Sequence, residues 1–315
     1  MTSPADTVPR SYSPLSANLI CMASMLIWAA ALPAAEVLIR PVPPIMPPLS
    51  LTAARMAMAA LFLLPVWIAV EGIDALRRTN WLRGLMVGSM IGLGALFLVM
   101  GQTRTTAVMA AVVSSAMPLV GITIEIVLDG RKLNRGIVIG LLLSIAGGIL
   151  AAGKFDGGLG FGLGALLCLA SVVTFTLASR LTVTSLPGLT PLGSTTVTVV
   201  GAAIAACLFA AVGMVAGLPG PDWPAFGWFE FGALALFGIG GLAISQVLWI
   251  VAVGQLGIAM SSLHINMTPF YVMVILLALG GSWNWMQAGG AALVAVGVLI
   301  AQGLIGRRLM GTARA

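Results

Sequence analysis

Asn18–Trp28 reads NLICMASMLIW, and Ala165–Phe175 reads ALLCLASVVTF. With residue 18 laid on residue 165, Cys21 meets Cys168, Ala23 meets Ala170, Ser24 meets Ser171 and Trp28 meets Phe175. The match continues in order with a slow drift: Pro118 meets Pro269, Gly147 meets Gly297 and Gly153 meets Gly303. A few loop insertions produce such a drift. An ordered series over half a chain marks an internal repeat, here with halves at 17–154 and 159–305.

Composition identifies the solvent. The 315 residues are 60% hydrophobic and 8% charged, against roughly 25% charged in soluble domains, and mean hydropathy is +1.10. So few charges cannot clothe a water-facing surface, so most of the surface faces lipid. Aromatics are scarce and glycines number 39, a balance that suits helices packed backbone to backbone in a membrane. Apolar runs of about 20 residues, the length that crosses ~30 Å of hydrocarbon, fall at 17–39, 49–70, 82–102, 106–127, 136–154, 159–181, 191–216, 230–253, 258–280 and 285–305. Lipid requires each run to satisfy its own backbone, and period-two alternation is absent, so the runs are predicted to be helices. The expected fold is an all-α polytopic membrane protein of ten transmembrane helices. Five per half is an odd number, so the second half enters the membrane upside down. Inverted-topology repeats are a hallmark of secondary transporters.

Residues 1–16, rich in Ser, Pro and Thr, are predicted to be a disordered cytoplasmic tail, and 306–315 a second cytoplasmic tail. Ala29–Glu36 (AAALPAAE) resembles a signal-peptidase site. Cleavage there would remove a segment that the repeat needs, and only Arg10 precedes the apolar stretch. With the N-terminus inside, Arg10, Arg77, Arg78, Arg83, Arg131, Lys132, Arg135, Arg180, Arg307, Arg308 and Arg314 are cytoplasmic. Arg40, Arg104 and Lys154 are outside, and Arg55 lies within a helix. This bias puts both termini in the cytoplasm of a bacterial inner membrane. The net charge of +6 forms no stripe, which excludes nucleic acid as a partner. The expected partners are lipid and a small-molecule substrate; the sequence leaves the oligomeric state open.

The matched prolines point to a binding site. Pro118 and Pro269 fall near the middle of the fourth and ninth segments, where each removes an N–H and frees the carbonyl four residues back. Those carbonyls belong to Ser114 and Ile265, and Ser114, Ser115, His264, Asn266 and Thr268 cluster beside them. Corresponding interruptions in two halves are a sequence pointer to a transport site; a purely structural kink is the other reading. Trp28 sits at mid-depth, where an indole N–H needs a partner, on a cavity or a neighbouring helix. Gln246, Trp249, Phe97 and Met100 are further candidates for a lining that favours apolar side chains. Arg55 and Glu36 lie near the outer face of adjacent segments, and charges there pair or face water; a Glu36–Arg55 contact or a shared polar mouth is expected. His264, the single histidine, is the candidate for proton coupling. Gly84, Gly88 and Gly92 form one flat stripe, expected to be a packing surface that can slide.

These residues resemble the drug/metabolite transporter superfamily, EamA type, over about 17–305. The resemblance rests on Trp28 in MLIWAAA, Arg55 in TAARMAMAAL, Ala116–Val120 (AMPLV) with Gly147–Gly148, and Met267–Tyr271 (MTPFY) with Gly289, Gly290 and Gly297. It implies ten helices, paired inverted repeats, a central cavity and export of small metabolites. Where the family often carries Gly-Glu after the fourth and ninth helices, this chain has Asp129–Gly130 and Gly280–Gly281, which leaves the subfamily open. YddG-like amino acid exporters are similar in character.

The expected function is export of amino acids, aromatic or otherwise apolar, by alternating access. No carboxylate lies at mid-membrane, since Glu71, Glu125 and Glu230 fall near segment ends, so uncoupled transport or exchange is expected. The alternative is a broad drug or metabolite exporter with proton coupling. An intramembrane enzyme is the distant alternative. Zinc chemistry would need several ligands at proper spacing, a serine protease a placed nucleophile and base. Cys21, Cys168 and Cys207 lie in apolar runs and read as small buried hydrophobes. No cofactor or metal is expected.

Overall fold

The computed structural model describes residues 13–129, 135–152, 158–256, 261 and 264–301, and every regular element among them is helical. In chain order these are α1 (Pro14–Ile39), α2 (Pro48–Glu71), α3 (Ile73–Arg78), α4 (Trp81–Gln102), α5 (Ala107–Ser114), α6 (Met117–Asp129), α7 (Arg135–Ala152), α8 (Gly158–Ser185), α9 (Pro191–Val215) and α10 (Trp228–Ala235). A π-helical stretch, Leu236–Ile244, joins α10 to α11 (Ser245–Leu256). After it come a 3₁₀ turn (His264–Met267), α12 (Thr268–Ala278) and α13 (Trp285–Ala301).

Among the described residues seven stretches are long and apolar enough to cross a membrane: α1, α2, α4, α5 with α6, α8, α9, and Trp228–Leu256. The apolar helices His264–Ala278 and Trp285–Gly297 are shorter, and α7 has 18 residues. The chain is a multi-pass membrane protein. Large side chains such as Leu61, Leu208 and Phe229 are exposed on the helices' outer faces, as lipid-facing residues are.

Local chemistry sets where the helices begin. Ser13 caps α1 by accepting from Ser16 N at 3.2 Å, with Pro14 at the first helical position. Pro pre-sets φ there and loses no needed donor. The helix therefore starts earlier than the tail reading of 1–16 supposed; residues 1–12 and the second tail lie outside the described residues. Thr106 caps α5 through Met109 N at 3.0 Å and Thr190 caps α9 through Gly193 N at 3.0 Å.

The matched prolines do more than kink. The fourth segment breaks into α5 and α6 across Ser115–Ala116, and Pro118 is the second residue of α6. In the second half the 3₁₀ turn precedes α12, whose second residue is Pro269. Each proline thus opens a helix, where its missing N–H would have had no partner anyway. The two breaks touch: the Ser115 hydroxyl lies 3.2 Å from the Ala111 carbonyl and 3.5 Å from that of Ile265.

The packing has a regular plan. Helix α7 lies against α13 and α2 against α9. Helix α4 packs on α8 as α1 packs on α11, and α4 on α9 as α2 packs on the π stretch. Helix α8 contacts α5 and α6 as α1 contacts α12. When the helices are matched by the sequence alignment of 18–28 on 165–175, the two members of each of these last three pairings correspond. Helices α4 and α9 approach closely: a Cβ on Gly88 would stand 2.2 Å from the Thr198 carbonyl and one on Gly92 3.0 Å from that of Ala202. Only glycine allows this separation.

Candidate functional site: a central cavity

A cavity opens between α1, α2, α4, α8, the π stretch and α11, with Ser114 and Met117 at the first break and Ile265 at the second. Its volume is about 80 Å³, several times the roughly 15 Å³ that a single water needs on the same measure. Its walls are apolar with a few polar groups, the usual make-up of a small-molecule site.

Trp28 of α1 and Phe175 of α8 both line it, and these are the residues that the repeat lays on one another. Met25, Met56 and Met117 add flexible, polarisable wall. Gln246 and Trp249, one turn apart on α11, reach it with Ser114, Ser171 and Ser245. The indole Nε1 of Trp249 is buried and has no hydrogen-bond partner in the protein.

Arg55 is the one charged side chain in the described wall. It is 3% exposed. Its guanidinium lies over the Phe237 ring, 3.9 Å from the centroid, and its Nε and Nη1 have no acceptor. Phe237 belongs to the π stretch, and Gly238 beside it lets that backbone approach α2: a Cβ there would stand 3.0 Å from the Arg55 carbonyl oxygen. A cation in a membrane-spanning helix costs up to roughly 2.5–3.5 kcal/mol on insertion scales, the figure for the bilayer centre. A cation–π contact returns about 2 kcal/mol when desolvated, so Phe237 offsets part of that cost but satisfies no N–H.

The expected Glu36–Arg55 pair does not form. Glu36 Oε1 is 3.0 Å from Arg40 Nη2, one turn on, and accepts from the Ala107 backbone N–H at 2.6 Å. The nearer, more exposed cation and the free N–H at the start of α5 take the carboxylate. Arg55 turns inward instead.

Other expected residues stand off the wall. On α4 the lining residues are Ile91, Gly94, Ala95 and Leu98, spaced i, i+3, i+4, i+7. At about 100° per residue, Phe97 lies roughly 120° and Met100 roughly 180° from that stripe, so neither lines the cavity. Ser115 is turned to the Ala111 and Ile265 carbonyls. On the 3₁₀ turn Ile265 faces the cavity, while its neighbours His264 and Asn266 do not; His264 Nδ1 and Asn266 Oδ1 are buried without partners. Pro118 and Pro269 act behind the wall, by breaking the helices. The sequence reading passed over Phe175 and Ser171, although the alignment of Asn18–Trp28 on Ala165–Phe175 pointed to them. Met25, Met56 and Ser245 had no signal beyond membership of an apolar helix.

Comparison with known proteins agrees with this architecture. Residues 15–153 match the EamA-like transporter family. The chain is 29% identical over 272 residues to the "Uncharacterized transporter YyaM" of Bacillus subtilis (strain 168), covering 82% of this chain and 85% of that protein. A protein known from a crystal structure superposes with a TM-score of 0.67 at 24% identity, over 94% of this chain and 100% of the other. That likeness is one of fold.

Proposed function

We propose that this chain, whose residues 15–153 match the EamA-like transporter family, is a membrane transporter that exports amino acids with aromatic or other apolar side chains through the central cavity. The observation that carries this reading is the wall itself. Trp28 and Phe175, at equivalent positions of the two halves, flank an apolar space, with Ser114, Ser171, Ser245, Gln246 and Arg55 supplying hydrogen bonds. An apolar side chain fits the first set and a polar head group the second.

The mechanism proposed is alternating access by two inverted five-helix halves, ten transmembrane helices in all, with both termini in the cytoplasm of a bacterial inner membrane. The correspondence of helix pairs between halves and the two matched breaks support it. No carboxylate stands in the described wall, which favours uncoupled transport or exchange. A broad drug or metabolite exporter is the second reading, favoured by Met25, Met56 and Met117, since a methionine wall adapts to many shapes.

The test is counterflow uptake of labelled aromatic and aliphatic amino acids into proteoliposomes, with and without a pH gradient. Uptake competed by unlabelled amino acids and indifferent to the gradient is expected. Failure of every amino acid to counterflow would refute the substrate assignment.

A further inference from the structure

The cavity has a chemical asymmetry that the amino acid reading does not require. Its described wall holds one cation, Arg55, and no anion. Arg55 forms no ion pair among the described residues, and its Nε and Nη1 are buried without an acceptor. Glu36, the acidic residue expected beside it, is held by Arg40 and the Ala107 N–H. One face of the guanidinium is covered by Phe237, which fixes its plane; the unfilled Nε and Nη1 lie on different edges, each forming a fork of donors with Nη2. A fixed planar fork of donors matches a carboxylate, which it binds through two parallel charge-assisted hydrogen bonds. Nearby, the Trp249 Nε1 offers one more unpaired donor. The fully buried polar atoms of this wall that lack a partner, on Arg55 and Trp249, are donors, and an acceptor would complete them.

We propose that Arg55 anchors the carboxylate of the transported solute, and that the site recognises an organic monocarboxylate with an apolar body whether or not it carries an ammonium group. This rests on the cavity being the transport site and narrows what occupies it. A zwitterion's ammonium group has only neutral oxygens to meet, such as the Gln246 amide oxygen and the serine hydroxyls, so its loss removes little. Loss of the carboxylate leaves the guanidinium unpaired.

Three probes that share a phenyl ring and a two-carbon chain separate the two groups: phenylalanine, 3-phenylpropionate without the ammonium, and 2-phenylethylamine without the carboxylate. Their binding to the purified, detergent-solubilised protein is measured by tryptophan fluorescence and by thermal stabilisation. The expected result is that phenylalanine and 3-phenylpropionate bind within about tenfold of one another, while 2-phenylethylamine binds roughly 30-fold or more weakly, the scale of a lost charge-assisted bond. Arg55→Gln lowers carboxylate affinity by a similar factor, and Arg55→Lys recovers part of it. Equal binding of the amine overturns the proposal, as does failure of both carboxylates to bind. Undiminished carboxylate binding by an Arg55→Gln protein that elutes and melts like wild type overturns it too. The wild-type probe series decides the matter even if that variant misfolds. Binding and counterflow of 3-phenylpropionate without phenylalanine would uphold the Arg55 anchor and refute amino acid export; counterflow of phenylalanine with equal competition by the amine would do the reverse.

Discussion

Any side chain at Gly88 should be costly. A methyl group added there would stand 2.2 Å from the Thr198 carbonyl oxygen, 2.7 Å from the Gly201 Cα and 2.8 Å from the Ala202 nitrogen. All three atoms are backbone of α9, so no rotamer change relieves the clash, and α4 and α9 must separate by about 1 Å. Overpacking of this kind costs about 1–3 kcal/mol. The displaced helix also carries Ile91, Gly94, Ala95 and Leu98 of the cavity wall, so Gly88→Ala should lower both the melting temperature and counterflow. Two substitutions serve as references. At Gly92 the closest atom is 3.0 Å away, so alanine there should cost less. At Gly232 nothing lies within 4 Å, and alanine should fall within about 0.5 kcal/mol of wild type. Melting of detergent-solubilised protein, followed by light scattering, gives the order. If Gly88→Ala melted with Gly232→Ala, the close packing of α4 on α9 would be wrong.

Trp28→Ala and Phe175→Ala should each weaken binding of the transported solute by about tenfold in titrations followed by thermal stabilisation, since each strips an aromatic wall from the cavity; Phe97→Ala and Met100→Ala, off the wall, should leave affinity within about twofold. Glu36→Gln should destabilise the protein by about 2 kcal/mol, the value of a hydrogen bond to a charged group, while reversing the charges of Glu36 and Arg55 together should restore nothing. Recovery in that double variant would revive the pairing that the structure replaces with Glu36–Arg40. His264→Gln should leave the pH profile of counterflow unchanged, and a flattened profile would make the histidine a proton carrier.

The sequence announces what repeats and what is periodic. The alignment of Asn18–Trp28 on Ala165–Phe175 and of Pro118 on Pro269 foretold interrupted helices at corresponding places, and the glycine stripe of α4 foretold close packing. Which face of a helix lines the cavity is a different kind of fact. It depends on the rotation of α4 against α8 and α9, and the polar and aromatic residues by which Phe97 and Met100 were chosen do not encode that angle. The fate of Glu36 was hidden for a related reason: its partners are Arg40, whose reach depends on how α1 ends, and an N–H at the start of α5. The π stretch at Leu236–Ile244 has no composition that separates it from an apolar α-helix, yet it supplies the Phe237 ring beneath Arg55.

The meeting of the two breaks is a matter of proton counting. Ser115 has a single hydroxyl hydrogen, with two carbonyl oxygens in range: Ala111 of α5, which it caps, and Ile265 at the second break. A hydroxyl donates once, so whichever oxygen receives it, the other must go without that donor. A bond from Ser115 to Ile265 ties the two breaks together, while one to Ala111 leaves them in contact by packing alone. The difference is no more than one neutral hydrogen bond exchanged for another, about 1 kcal/mol or less. Rotation of one hydroxyl therefore makes or releases one hydrogen bond between the two breaks, while the packing of α5 on α12 remains.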